Sequence, residues 1–169
     1  VEYGLNPFYI DDEEINKCDL IRKKSMNNGF GGGVFSLTYR NNRVDATVGG
    51  ALNHYKGWHF GEVLWVRNYI GEINPNQEYY RNVGNKTDGN IYARANIDIF
   101  NGVSAYADLQ YRHIKYTISG VSDTYDWNNE SMQSLNINER FNFFNPKVGL
   151  NWKINRNNRM FASFSVAQK

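Results

Sequence analysis

One cysteine, Cys18, is all this chain has, so no internal disulfide can brace it. Nowhere does it approach the ~18 consecutive apolar residues of a spanning helix. Its mean hydropathy of −0.65 likewise excludes a helical membrane protein. Charge of one sign is also lacking: 19 basic against 17 acidic residues leave a net +2. Such a balance gives no argument for nucleic acid or for steering an acidic partner. No initiator or leader pattern opens the sequence at Val1. An internal piece of a larger exported chain would look the same, so compartment is not read from this.

What is present is aromatic and strand-forming. Twelve Tyr, ten Phe and fifteen Gly with only three Pro point to an all-β protein, and 169 residues suffice for one ordinary domain. Three places show period-2 alternation on both sides of a short turn. In VFSLTYR (34–40), Phe35, Leu37 and Tyr39 alternate with Ser36, Thr38 and Arg40. After Asn41-Asn42 the chain returns with Val44, Ala46, Val48 and Leu52 against Asp45, Thr47 and Gly49. In NIYARANIDIF (90–100), Ile91, Ala93, Ala95, Ile97 and Ile99 oppose Tyr92, Arg94, Asn96 and Asp98. Asn101-Gly102 predicts a type I′ turn. The returning arm sets Val103, Ala105, Ala107, Leu109 and Tyr111 against Ser104, Tyr106, Asp108, Gln110 and Arg112. The third hairpin places Val148, Leu150 and Trp152 against Lys147, Gly149, Asn151 and Lys153. It turns at NRNN (155–158) and returns through Ala162, Phe164 and Val166.

Between the hairpins, residues 57–88 and 119–140 read as long polar and aromatic connections. Short turns alternating with long loops form the pattern of a transmembrane β-barrel, whereas long loops are uncommon in compact soluble domains. The apolar faces carry Ala and single Val or Ile, few of them large, which suits lipid better than an interlocked core. Tyr39 and Trp152 lie on that face near short turns, where an interfacial belt belongs. Phe100 and Phe161 are near the turns in the opposite phase. Near Arg112 and His113 the alternation slips, since Ile114, Tyr116 and Ile118 change parity, and a β-bulge accounts for that. The expected architecture is therefore an antiparallel up-and-down meander with short periplasmic turns and long extracellular loops. A soluble carbohydrate-binding β-sandwich and a complete eight-stranded membrane barrel are the alternatives.

The stretches GGGVFSLTYRNNRVDATVGGALNHYKGWHFGEVLWV, YADLQYRHIKYTISG and FNFFNPKVGLNWKINRNNRMFASFSVA resemble barrel segments of TonB-dependent outer-membrane receptors, especially those of Bacteroidetes-type bacteria. The resemblance runs from about Asp19 onward, with HFGEV, FFNPKVGL and ASFSVA its most specific parts. It implies a bacterial outer-membrane location and a roughly 22-stranded barrel filled by a plug. It also implies import of an iron chelate, cobalamin or a glycan with energy delivered by TonB through the plug. Neither a plug nor a C-terminal aromatic strand end is present, since the chain closes Ala167-Gln168-Lys169. Residues 1–169 are accordingly expected to be a single partial barrel segment of about seven to nine strands.

No catalytic constellation emerges, so an enzyme, a cofactor and a nucleic-acid partner are not expected. His54 and His59 lack further ligands at metal spacing, and no metal is expected. Asp11-Asp12-Glu13-Glu14 reads as a solvated acidic turn, without the alternation of a Ca²⁺ loop. The glycines of GFGGG (29–33) precede a strand, not a helix, so they do not form a phosphate cradle. What remains is a set of loop aromatics suited to stacking and hydrogen bonding a ligand: Trp58, His59, Phe60, Trp65, Tyr79, Tyr80, Tyr125 and Trp127. Arg94, Asp108 and Arg112 fall on the polar, lumen-facing parity. Lipid and the protein's own plug are the expected partners of the two faces.

Overall fold

A computed structural model describes residues 2–5, 7–15, 17–74 and 77–168. Within them the chain is all-β. β1 (Phe8–Ile10) and β2 (Glu13–Ile15) form a small hairpin. The rest is one six-stranded antiparallel meander: β3 (Leu20–Arg40), β4 (Val44–Val66), β5 (Glu78–Phe100), β6 (Val103–Asp126), β7 (Ser131–Lys153) and β8 (Arg159–Ser165), in sheet order equal to chain order. The three hairpins expected from the alternation are β3–β4, β5–β6 and β7–β8. Among the described residues the six strands of the meander form one open sheet with β3 and β8 as its two edges, so they do not close into a complete eight-stranded barrel.

Asparagine side chains build two of the tight turns. Asn41 Oδ1 accepts from the backbone N–H groups of Arg43 and Val44, both at 2.8 Å, while Asn41 N donates to Val44 O. Asn155 repeats the device, its Oδ1 accepting from the N–H groups of Asn157 and Asn158 at 2.9 Å. Each side chain substitutes for a backbone acceptor and closes the turn without a following strand residue. The turn between β5 and β6 differs from expectation. Type I′ geometry needs positive φ at both central residues, but only Gly102 has it (82°). That is the signature of a three-residue connection ending in a G1 bulge. The extra residue keeps odd positions of β5 on the face of odd positions of β6, and Arg94 reaches Asp108 at 3.2 Å. Type I′ character occurs instead at Asp11 and Asp12 (φ 50° and 65°), the exposed tip of β1–β2.

The register of β7–β8 reproduces the alternation. Val148 opposes Phe164, Leu150 opposes Ala162 and Trp152 opposes Met160 on one face; Gly149–Ser163 and Asn151–Phe161 lie on the other. In β3–β4 the polar face carries Thr38 against Thr47 (Oγ–Oγ 3.1 Å) and Arg40 against Asp45 (2.9 Å).

The described chain packs as two units. The first comprises Val1–Gly29, Tyr55–Asn85 and Tyr116–Asn138. It has a small core of Val63, Val66, Tyr79 and Tyr80, against which Leu20, Tyr69, Val121 and Met132 pack. The second comprises Phe30–His54, Lys86–Lys115 and Glu139–Lys169. Its buried residues, among those described, are glycines: Gly49, Gly50 and Gly149. Each lies beneath an aromatic ring where a Cβ would overlap it, Tyr92 over Gly49, Phe35 over Gly50 and Tyr106 over Gly149. Its large aliphatics stay exposed, Leu37 at 76% and Leu150 at 54%. A unit that buries glycine and exposes leucine is turned inside out relative to a water-soluble domain.

One expectation about the connections needs correction. The segments 57–88 and 119–140 are mostly strand, not loop: β4 runs to Val66, β5 begins at Glu78, β6 runs to Asp126 and β7 begins at Ser131. The connections shrink to residues 67–77 and 127–130. Strands of 21 to 24 residues are twice the ~9–11 needed to cross a bilayer. Polar alternation is weak in the outer halves because both faces there meet water or protein, so sequence periodicity fades while backbone pairing continues. Gly120 of β6 has a positive φ of 120°, and Arg112, on the parity of Asp108 as expected, pairs with Asp88 of β5.

Candidate functional site

In the first unit four strands contribute to one polar cavity of about 370 Å³. β3 supplies Lys24, Ser25 and Met26, β4 supplies His59, β5 supplies Tyr80 and Asn82, and β6 supplies Ser122 and Asp123. Asn82 is its keystone, 9% exposed. Its Nδ2 donates to Val121 O at 3.1 Å, which turns Oδ1 toward His59 Nδ1 at 2.9 Å. An amide oxygen only accepts, so His59 Nδ1 carries the proton and Nε2 is left as an acceptor. Gly120 makes this possible. Its positive φ brings β6 so close to β5 that a Cβ there would overlap Arg81 O and Asn82 Cα, and the next residue offers the carbonyl that holds Asn82.

Across the cavity Lys24 of β3 forms an ion pair with Asp123 of β6, reaching past β4 and β5. The Lys24 ammonium holds the Asp123 carboxyl below the usual carboxylate range, and burial pushes the Tyr80 phenol up. A depressed carboxyl contributes stability above its ordinary value of about 3.9 and loses it as pH falls through the depressed one. Both side chains are more than a third exposed, so water screens the pair and the effect is small. Amide protection factors in residues 21–26 are expected to fall modestly when the pH drops below about 4. Asp123→Asn should show the lower protection at every pH; an unchanged pH response in that variant would remove the pair from the explanation.

The aromatics singled out from sequence separate. His59 and Tyr80 meet in the cavity. Tyr79 packs in the core beside Tyr80, ring centroids 5.0 Å apart. Trp58 has the parity opposite to His59 and lies under Lys56 Nζ at 4.8 Å. Phe60 lies under the Arg81 guanidinium at 4.7 Å. Trp65 is half exposed on β4. Tyr125 and Trp127 form an edge-to-face pair, centroids 4.8 Å apart, with Trp127 exposed. His54, on the other face from His59, bonds Thr87 Oγ1 at 3.0 Å. The sequence reading missed Lys24, Asn82 and Asp123. They are ordinary polar residues far apart in the chain, and the only local signal was Gly120 between the strand formers Ile118 and Val121.

Arg94 and Asp108 form their ion pair on the polar face of the second unit, as does Arg112 with Asp88 (Nε to Oδ1 2.9 Å). The opposite face presents Ala95, Ile97, Ala105, Ala107, Leu150 and Phe164 around a shallow apolar hollow. A single sheet with one lipid-type and one water-type face defines a membrane-spanning β-wall. The model of one family, TonB dependent receptor-like β-barrel, matches residues 6–169. The chain belongs to that family. Its members are receptors and transporters of the bacterial outer membrane, not enzymes, and the family implies a plug domain and engagement with TonB. No curated protein matches the chain.

Proposed function

We propose that residues 1–169 are a partial wall of a transport barrel of the Bacteroidetes type, which imports a ligand past a plug with energy passed on by TonB. The outer ends of its strands contact the ligand. The cavity around the Asn82-held His59 carries this reading. Among an iron chelate, cobalamin and a glycan, its chemistry favours the glycan. The charged pair Lys24–Asp123 satisfies itself, and the remaining groups are neutral donors and acceptors: His59 Nε2, the Tyr80 phenol and the hydroxyls of Ser25 and Ser122. Such an inventory matches a polyhydroxylated neutral ligand better than an anionic chelate. Trp127 and Tyr125 supply an exposed aromatic edge of the kind sugars stack on.

The test is growth and uptake by cells carrying the full-length receptor or lacking it, with a ferric siderophore, cobalamin and a soluble oligosaccharide offered in turn. Loss of oligosaccharide uptake alone on deletion is expected. His59→Ala and Asn82→Ala should each lower apparent affinity about tenfold, one hydrogen-bonding group's worth. Uptake that depends on the receptor but ignores both variants would move the ligand elsewhere on the barrel.

A further inference from the structure

On the polar face of β5 and β6, Lys86, Arg94 and Arg112 each have an acidic partner, and so does Arg40 of β3, but at the short-turn end of the second unit this pattern breaks. Lys153 and Arg159 are direct cross-strand partners at the mouth of the β7–β8 turn. Like charges placed opposite each other destabilise a strand pair. Arg43 lines the same cavity, of about 610 Å³, and Asp98 is the one carboxylate there. Among the described residues none of these four joins an ion pair, whereas Arg40, Arg94 and Arg112 all do. Lys147, the next cation along this face of β7, lies over the Tyr106 ring with Nζ 5.8 Å from its centroid. The cluster is also stiff: Lys153 N donates to Gly102 O at 2.6 Å, and Asn151 Nδ2 reaches Ser104 Oγ at 3.4 Å.

Two aromatics flank it. Phe100 lines the cavity at 66% exposure, and Phe161, two residues beyond Arg159, is 82% exposed opposite Asn151 on the polar face. These are the aromatics whose phase did not fit an interfacial belt, and here they sit on the water-facing side with cations beside them. Exposed Phe next to Arg is the composition of a protein interface. A small oxyanion would use the cations and leave both rings in water. A phospholipid headgroup would approach from the opposite face, that of Trp152 and Met160.

We propose that Arg43, Lys153 and Arg159, with Phe100 and Phe161, dock a carboxylate-bearing, partly apolar segment of the plug at the periplasmic mouth of the barrel. The proposal rests on the transport-barrel reading. The plug's carboxylates relieve the Lys153–Arg159 repulsion, and its apolar side chains cover the two rings. The wall therefore carries an unbalanced positive charge until the plug is seated.

The experiment uses the full-length receptor in planar bilayers, where a loosened plug is read as open-channel events, and heat-modifiable gel mobility reports barrel folding separately. Lys153→Glu with Arg159→Glu is expected to raise the frequency of open events about tenfold, two weakened surface-type pairs together. Lys153→Gln with Arg159→Gln should give a smaller rise in the same direction and stands in if the reversal does not fold. Arg156→Glu changes charge equally at the turn tip outside the cavity and should leave the frequency unchanged. A folded double variant with parental conductance overturns the proposal, as does an equal response to Arg156→Glu. So does protection of Lys153 from acetylation by inorganic phosphate with plug seating indifferent to the reversal, which would assign the site to a small anion. Absence of heat-modifiable mobility in the parent protein would instead defeat the transport-barrel reading.

Discussion

Ala107→Arg in the full-length receptor is expected to collapse the folded fraction, while Asp108→Arg leaves most of the barrel intact. The two residues are neighbours on β6, so strand propensity and depth are nearly the same. Ala107 lines the apolar hollow with Ala95, Ala105 and Ala162, small side chains between exposed Ile97, Leu150 and Phe164. An arginine there meets hydrocarbon at a cost of roughly 2–4 kcal/mol near the bilayer midplane. Asp108 points to the other face and pairs with Arg94 at 3.2 Å. Losing an exposed pair of this kind costs up to about 1 kcal/mol, with a similar amount for the new like-charge contact. Heat-modifiable mobility of each variant supplies the measurement. Comparable losses, or a worse one at Asp108, would show that the faces are assigned backwards.

Gly120→Ala should produce the largest local effect outside the membrane. At φ of 120° an L side chain is strained wherever it sits, by about 1–3 kcal/mol. Here the new methyl would also run into Arg81 O and Asn82 Cα, both backbone, which cannot swing aside as a side chain could. Relief comes only by parting β6 from β5 at Val121, and that removes the carbonyl holding Asn82. Once Asn82 is released, His59 loses its orienting acceptor. The expected result is a barrel that still shows heat-modifiable mobility, is cut by protease added outside cells within 116–126, and has lost the affinity that depends on His59. Gly31→Ala provides the contrast, since nothing lies within 4 Å of a Cβ at that position. Wild-type protease resistance in Gly120→Ala would mean that β6 tolerates the side chain and that the close approach does not set the cavity.

The alternation in β3–β4, β5–β6 and β7–β8 was sufficient to determine the turn-proximal halves of those strands, their hairpin pairing and the division of faces there. Each arm repeats its apolar residues with period 2, and a register slip of one residue would turn every one of them to the wrong side. Family membership was legible in another way, through the resemblance of particular stretches, HFGEV, FFNPKVGL and ASFSVA above all, to known barrel segments. Tertiary structure decided what local pattern does not encode. Whether Asn101-Gly102 makes a type I′ turn or a G1 bulge depends on how the two arms must align, and the pairing of Arg94 with Asp108 required the bulge. How far the strands extend beyond the membrane was hidden, because with water or protein on both sides there is no facial contrast to read. The cavity was hidden for a stronger reason. Lys24, His59, Asn82 and Asp123 come from four strands, and only pairing of those strands, with the tight approach at Gly120, places an amide, an imidazole and an ion pair around one space.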